Sequence, residues 1–423
     1  MLSFSNIIKP LKEAVADKTY RGTYLPFVWH GFFLALTMAM IEMNTVLPSL
    51  ISELTKNTVA FGALYSIMLG APLIFNLLFS RYLERFALKK KFLLLGIYLR
   101  SFSFLGMSVV TLLFAKDNPF SALIGFYFLI FIFSISGGFA GIAYSDIIGK
   151  LLPSQKRGEL YAVRQLISGV ASLLGGFFVA WAFKPGSLQF PFNYALNLFI
   201  GFIGLILGAM GFWMIKEPPS SIEKKENGQD EGFIRNVINI LKKDRRFLRF
   251  IIVENVTSFS LMILPFYLVF VKSSFPGYEA YLGAFVISQI IGSMSSNFLW
   301  AFISNKFGTR RVVKVCIFMG AMIPIIAMII KPLGPAWYIV VFLFVGFITS
   351  GRNIGFEPYL LDIAPDDKRT IYLGIRGTLN IFDVFLPIAG GLFISWLGYY
   401  ASFGIVSLVM FSTFLALKPE KEG

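Results

Sequence analysis

The chain has 423 residues, of which 56% are hydrophobic and only 14% charged, and its mean hydropathy is +0.73. A soluble domain carries about 25% charged residues, so this composition excludes an ordinary water-soluble fold. The net charge of +15 would suit a nucleic-acid partner, but the distribution of the bases along the chain argues against one.

Long runs of Leu, Ile, Phe and Val recur, many reaching the roughly 20 residues a helix needs to cross about 30 Å of hydrocarbon. Backbone amides in lipid must be satisfied within the segment, and the dyad alternation of a transmembrane barrel is not found, so the runs predict helices. The N-terminus through Arg21 is of mixed charge, without the pattern of a cleaved signal peptide. Predicted spans follow at 25–52, 60–82, 92–114, 121–146, 159–183 and 191–215. Next comes the longest polar stretch, Lys216 to Arg249, which opens with Pro, Ser, Gly and charged residues as flexible linkers do. Its second part, 233–247, sets Phe233, Val237, Ile240 and Leu241 on one face opposite basic residues, which predicts an interfacial amphipathic helix. Six further spans are predicted at 248–272, 281–303, 311–331, 337–361, 370–395 and 398–417. The fold expectation is an all-α polytopic membrane protein of twelve helices in two six-helix bundles. The expected units are 1–215, a cytoplasmic linker at 216–247, and 248–423.

Most of the 38 Lys and Arg lie in the N-terminus, the even-to-odd connections and the C-terminus. Lys56, Lys116, Lys184, Lys272 and Lys331 lie on the opposite side, and Arg100, Arg164, Arg352 and Arg376 fall inside spans. The positive-inside rule therefore predicts that both termini are cytoplasmic. In the plasma membrane the basic loops would meet anionic lipid headgroups. Cys316 and His30 are each the only residue of their kind, which leaves no disulfide framework and no His-rich metal cluster. No cofactor is expected. His30 and Trp29 resemble interfacial anchors.

The two halves repeat. After span two comes SRYLERFALKKK, and after span eight AFISNKFGTRR, which align Glu84 with Asn305, Arg85 with Lys306, Ala87 with Gly308, and Lys89-Lys90 with Arg310-Arg311. After span four comes PSQKRGELYAVRQ, and after span ten PDDKRTIYLGIRG, which align Pro153 with Pro365, Lys156-Arg157 with Lys368-Arg369, and Arg164 with Arg376. Two similar halves of six spans are a transporter pattern.

The first pair of loops resembles the signature of the major facilitator superfamily between spans two and three, Gly-x-x-x-Asp-basic-x-Gly-x-basic-basic. Glu84 takes the acidic place, Arg85 the basic one, and Lys89 and Lys90 the terminal pair. Ser80 and Ala87 replace the glycines, while the second copy keeps Gly308 but has Ala301 and Asn305. The resemblance implies alternating access by two rocking bundles, with Glu84, Arg85 and Lys89 helping to hold the cytoplasmic side closed. Two other family signatures are missing. Span four carries no arginine, and span five reads SGVASLLGG, while a Pro387, Gly390, Gly391 pattern sits in span eleven instead.

A charge in hydrocarbon costs about 2.5–3.5 kcal/mol on insertion scales, so each embedded one calls for a reason. Glu42 and Glu254 lie in spans one and seven, which line the central cavity in the implied fold. A carboxylate withdrawn from water there could take up and release a proton. Asn44 and Asn255 could hydrogen-bond a polar solute. Arg352 is a candidate for an anionic substrate group or for a counter-ion to Glu254 or Asp383. Asp146 and Glu357 end their spans at nearly matching positions, so two ion pairs are expected at the cytoplasmic gate, Asp146 with Arg164 and Glu357 with Arg376. Arg100 is expected to be structural, because third spans in this fold are peripheral.

The implied function is secondary active transport of a small organic solute, proton-coupled, by a monomer. Efflux of amphiphilic drugs or lipid-like molecules, or an uncoupled facilitator of the same fold, stays open. No phosphate-binding loop for ATP and no nucleophile–base constellation is visible, so neither a pump nor an enzyme is expected.

Overall fold

In the computed structural model the described residues are 18–219, 240–365 and 369–416, and they form helices without strands. The amphipathic stretch expected at 233–247 lies outside them up to residue 239, as does Lys368. Eleven helical stretches among the described residues are long and apolar enough to cross a bilayer. The last, Ile371–Leu415, is 45 residues long. Straight, it would extend about 68 Å, more than twice the hydrocarbon thickness. It breaks at Gly398, whose φ of +77° suits glycine, and so serves as two crossings, spans eleven and twelve.

The chain divides into two compact units, Met1–Thr55 with Ile67–Glu223, and Lys56–Ser66 with Lys224–Gly423. Their outer surfaces are apolar: Phe102, Phe120, Phe128, Trp396 and Leu408 are all more than half exposed. In water such a coat would drive aggregation. Around a membrane protein it is the lipid-facing layer.

Lipid tails are as apolar as Leu, so helices associate through close packing at small residues and through polar contacts. In the second unit Glu279–Phe307 crosses Tyr338–Ile363 at reciprocal glycines, with Gly292 against the Leu343 carbonyl and Gly346 against that of Gln289. In the first unit Gly201 and Gly204 of Phe192–Trp213 let Thr37 approach, and the Thr37 hydroxyl donates to the Gly201 carbonyl at 3.1 Å.

Three of the expected continuous spans are interrupted. Span one runs Lys18–Met40 and then Val46–Leu54. Span seven runs Arg245–Thr257, Phe259–Ile263 and Phe266–Ser274. Span eleven begins as Arg369–Leu379, tightens to a 3-10 stretch at Asn380–Phe385, and resumes at Leu386. Hydropathy averages over such breaks, so sequence reasoning passed over them.

The glycine crossing makes a direct prediction. A valine at Gly346 would force its Cβ into the Gln289 backbone, and overpacking costs about 1–3 kcal/mol or more. Gly346→Val should lower the melting temperature of the detergent-solubilised protein by several degrees. An unchanged melting curve would show that the two helices do not pack this closely.

Candidate transport site

In the first unit Glu42 and Asn44 sit at the break in span one. The Asn44 backbone N–H donates to Glu42 Oε2 at 2.8 Å, the Asn44 amide to Oε1 at 3.2 Å, and the Thr45 hydroxyl to Oε2 at 2.8 Å. The carboxylate thus satisfies donors freed where the helix stops, and the Glu42 carbonyl accepts from Leu47 N at 3.1 Å to start the next segment. The two residues singled out from the sequence are bonded to one another, and Asn44 is buried.

The basic end of the same unit differs from expectation. Asp146 does not pair with Arg164. Its oxygens lie 2.7 Å from Lys89 Nζ and 2.7 Å from Lys150 Nζ. Lys150 in turn reaches Glu217 Oε1 at 2.6 Å, and the Glu217 side chain is only 2% exposed. Glu217 also caps the helix Lys90–Phe114, accepting from Lys89 N and Lys90 N at 2.7–2.8 Å. Two orphan amides, the positive helix end and a lysine therefore converge on a residue that composition assigned to the linker. Lys89 is buried, whereas Glu84 and Arg85 are exposed. Arg164 instead lies over the Tyr144 ring at 5.0 Å, because Tyr144 is two residues before Asp146 and projects from a different side of the helix.

The second unit holds the densest polar cluster. Glu254, 2% exposed, accepts a forked pair from Arg376, with Nε at 2.9 Å from both oxygens and Nη2 at 2.6 Å from Oε1. Arg376 Nη1 is also 3.7 Å from Glu357, whose side chain is 62% exposed. The expected Glu357 partner is thus present but secondary. Glu254 is the main one, because it is buried and within direct hydrogen-bond reach. A turn beyond Glu254 the helix breaks at Ser258. The Thr257 and Ser258 hydroxyls lie 2.8 and 3.0 Å from the Glu254 carbonyl. Ser258 Oγ also accepts from Arg352 Nη2 at 3.0 Å and stands 2.7 Å from Asp383 Oδ2. Arg352 Nη1 approaches the Thr257 carbonyl at 3.3 Å, and the guanidinium rests over Phe356 at 5.0 Å. Arg352 and Asp383 are thus joined through Ser258 rather than directly. The Asn255 amide donates to Asn380 Oδ1 at 3.2 Å, a further link between spans seven and eleven. A small crevice lined by Thr257, Ser260, Cys316, Ile348, Arg352 and Phe356 adjoins this cluster. No group of His, Cys, Asp and Glu that could hold a metal occurs among the described residues.

From the sequence, Arg352 was a candidate counter-ion to Glu254 or Asp383, while Arg376 was assigned to Glu357 at the cytoplasmic gate. One hydroxyl and one forked pair tie Glu254, Arg352, Asp383 and Arg376 into a single cluster around the break in span seven. Ser258 itself was missed, although a Thr-Ser-Phe-Ser run inside an apolar span is a signal of backbone interruption.

The described architecture is that of a polytopic helical transporter. The sequence pattern of the Major Facilitator Superfamily matches residues 28–382, and the chain belongs to that superfamily. It is a multi-pass membrane transporter rather than an enzyme. Among solved structures, that of the nucleoside transporter NupG is similar with a TM-score of 0.66 at 14% identity, over 94% of this chain and 99% of that one. A D-xylose-proton symporter is similar with a TM-score of 0.62 at 15% identity, over 95% and 98%. A peptide transporter POT in complex with sulfate gives a TM-score of 0.68 at 10% identity, over 94% and 93%. No curated protein sequence matches the chain.

The pairing can be tested by a double-mutant cycle. Breaking a buried pair from one side costs about 3–5 kcal/mol, and removing both partners should recover part of it. Glu254→Gln with Arg376→Gln should show a coupling of about 1–3 kcal/mol in thermal unfolding. Glu357→Gln should change stability by less than about 1 kcal/mol, as exposed pairs do. Additive losses at 254 and 376 would contradict the forked geometry. At the other unit's basic end, Asp146→Asn should couple to Lys89→Gln and not to Arg164→Gln.

Proposed function

We propose that the chain is a secondary active transporter that moves a small organic solute by alternating access and couples that movement to protons. The observation that carries this reading is the buried Glu254–Arg376 pair beside the break in span seven. A carboxylate 2% exposed and held by the forked Arg376 pair has two alternatives when the site changes. It keeps Arg376, or it takes a proton and lets Arg376 go. Discontinuous helices in transporters commonly form the site where solute and coupling ion meet. Asp383, linked through Ser258 to Arg352, is a second carboxylate that protonation would uncouple from its base. Among the similar structures, one is by its own description a proton symporter.

Glu42 and Asn44 would contribute polar groups for the solute in the other unit, as Asn255 would beside Glu254. The cluster of Lys89, Asp146, Lys150 and Glu217, with the exposed Glu84 and Arg85, would act as the gate at the basic end. That end would face the cytoplasm across the plasma membrane, with anionic lipids around it. The protein would work as a monomer.

Proteoliposome flux against a panel of solutes, with and without an imposed proton gradient, tests the reading. Glu254→Gln should abolish uptake driven by the gradient while leaving counterflow exchange of the same solute. Wild-type flux that ignores the gradient would instead establish an uncoupled facilitator.

A further inference from the structure

Among the described residues, two arginines of the first unit form an ion pair with no carboxylate. Arg100 lies ten residues into the helix Lys90–Phe114, about 15 Å from its basic end. Its Nη2 is 3.9 Å from the Met38 sulfur, its guanidinium carbon is 4.3 Å from the Phe133 ring centre, and its buried Nε has no hydrogen-bond partner. Arg164 has the Tyr144 ring at 5.0 Å and no ion pair among the described residues. Gly31 makes room for it: a Cβ there would stand 2.6 Å from Arg164 Cγ.

The neighbours point the same way. His30 is 6% exposed, with its ring 4.8 Å from that of Phe212, and its buried Nδ1 has no partner. The buried Tyr144 hydroxyl also has none. Phe133, Gly137 and Tyr144 recur at helical spacing along one side of Pro119–Leu151, while Gly31 and Met38 lie one behind the other on Lys18–Met40. The two guanidinium groups therefore stand in one lane between these helices, roughly 10–16 Å apart along it by helical rise.

A fixed, unpaired guanidinium inside a bundle is costly. Rings and a thioether offset little of that cost, because cation–π contacts supply electrostatics without hydrogen-bond acceptors. What the lane offers is a set of positive charges, unused donors and aromatic walls, without a matching anion among the described residues. We infer that Arg100 and Arg164, with Tyr144 and His30, form a binding lane for a soluble organic anion: a carboxylate or phosphate group carried on an aromatic or apolar body. Arginine's planar fork suits either headgroup, and the rings suit the body. This rests on the transport reading and gives it a substrate class. Co-movement of one proton with a monoanion would make the cycle electroneutral.

The test is equilibrium binding to the purified full chain in neutral detergent, by calorimetry, with phenyl phosphate, benzoate, inorganic phosphate and benzyl alcohol as probes. Phenyl phosphate or benzoate should bind at least tenfold more tightly than benzyl alcohol, and inorganic phosphate more weakly than phenyl phosphate. Arg100→Gln and Arg164→Gln should each weaken binding at least tenfold, and Arg100→Lys by less. Equal binding of the neutral alcohol, or unchanged affinity in both glutamine variants, overturns the inference. If a variant fails to fold, phenylglyoxal labelling of the wild-type chain, read by mass spectrometry at Arg100 and Arg164, decides. Phenyl phosphate should protect both residues. Absence of protection, or protection by phosphatidylglycerol alone, overturns it. Binding needs no proton gradient, so loss of this site with retained gradient-driven flux would leave the transport reading standing. Glu254→Gln should keep anion binding while losing the proton drive.

Discussion

Inside hydrocarbon a backbone amide or carbonyl without a partner costs several kcal/mol, and this constraint shapes the protein more than any single contact. A helix can stop within the bilayer only where other groups take over its freed donors and acceptors. Span one stops where the Glu42 carboxylate accepts from Asn44 N. Span seven stops where the Thr257 and Ser258 hydroxyls meet the Glu254 carbonyl. The basic end of span three starts on Glu217. Polar and charged side chains are thus drawn to helix ends and breaks for structural reasons, and the same placement leaves them available for chemistry.

The second unit shows how structure and chemistry coincide. Arg376 satisfies Glu254 with a forked geometry, and Arg352 reaches Asp383 only through the Ser258 hydroxyl. The first couple is direct, with its carboxylate buried, and its charges are strongly interdependent. The second is mediated by one rotatable hydroxyl, so it can be made or broken by a small torsion. Both hang on the interruption in span seven, and on the 3-10 stretch at Asn380–Phe385 that brings Asp383 to it. Movement in either helix would change both couples together.

Much of this was legible in the sequence, and the failures have physical reasons. Run lengths and basic-loop asymmetry found the helices, and the repeated loops found the family. The Glu42–Asn44 neighbourhood was within reach because it is local. Arg376 was matched to Glu357 from the repeat, and that contact is present at 3.7 Å, but the buried main partner, Glu254, comes from a helix far away in sequence. Asp146 was matched to Arg164 by the same logic and took Lys89 and Lys150 instead, one of them a single turn along its own helix. Glu217 looked like linker because Pro, Ser and charge follow it, yet its side chain is among the least exposed of the charged groups. Arg100 was read as structural from its position in the implied fold. Only its surroundings show that its buried Nε has no hydrogen-bond partner among the described residues. Partner choice depends on three-dimensional proximity, and a single sequence carries that information weakly.

The central claim is that Glu254 exchanges Arg376 for a proton as the transporter cycles. Infrared difference spectroscopy of the reconstituted protein measures this most directly, by following carboxyl stretches as pH is lowered and solute added. The account predicts a protonated-carboxyl band that rises with acidification, changes on solute addition, and disappears in Glu254→Gln. A Glu254 that stays ionised and paired throughout the pH range over which transport changes would contradict it.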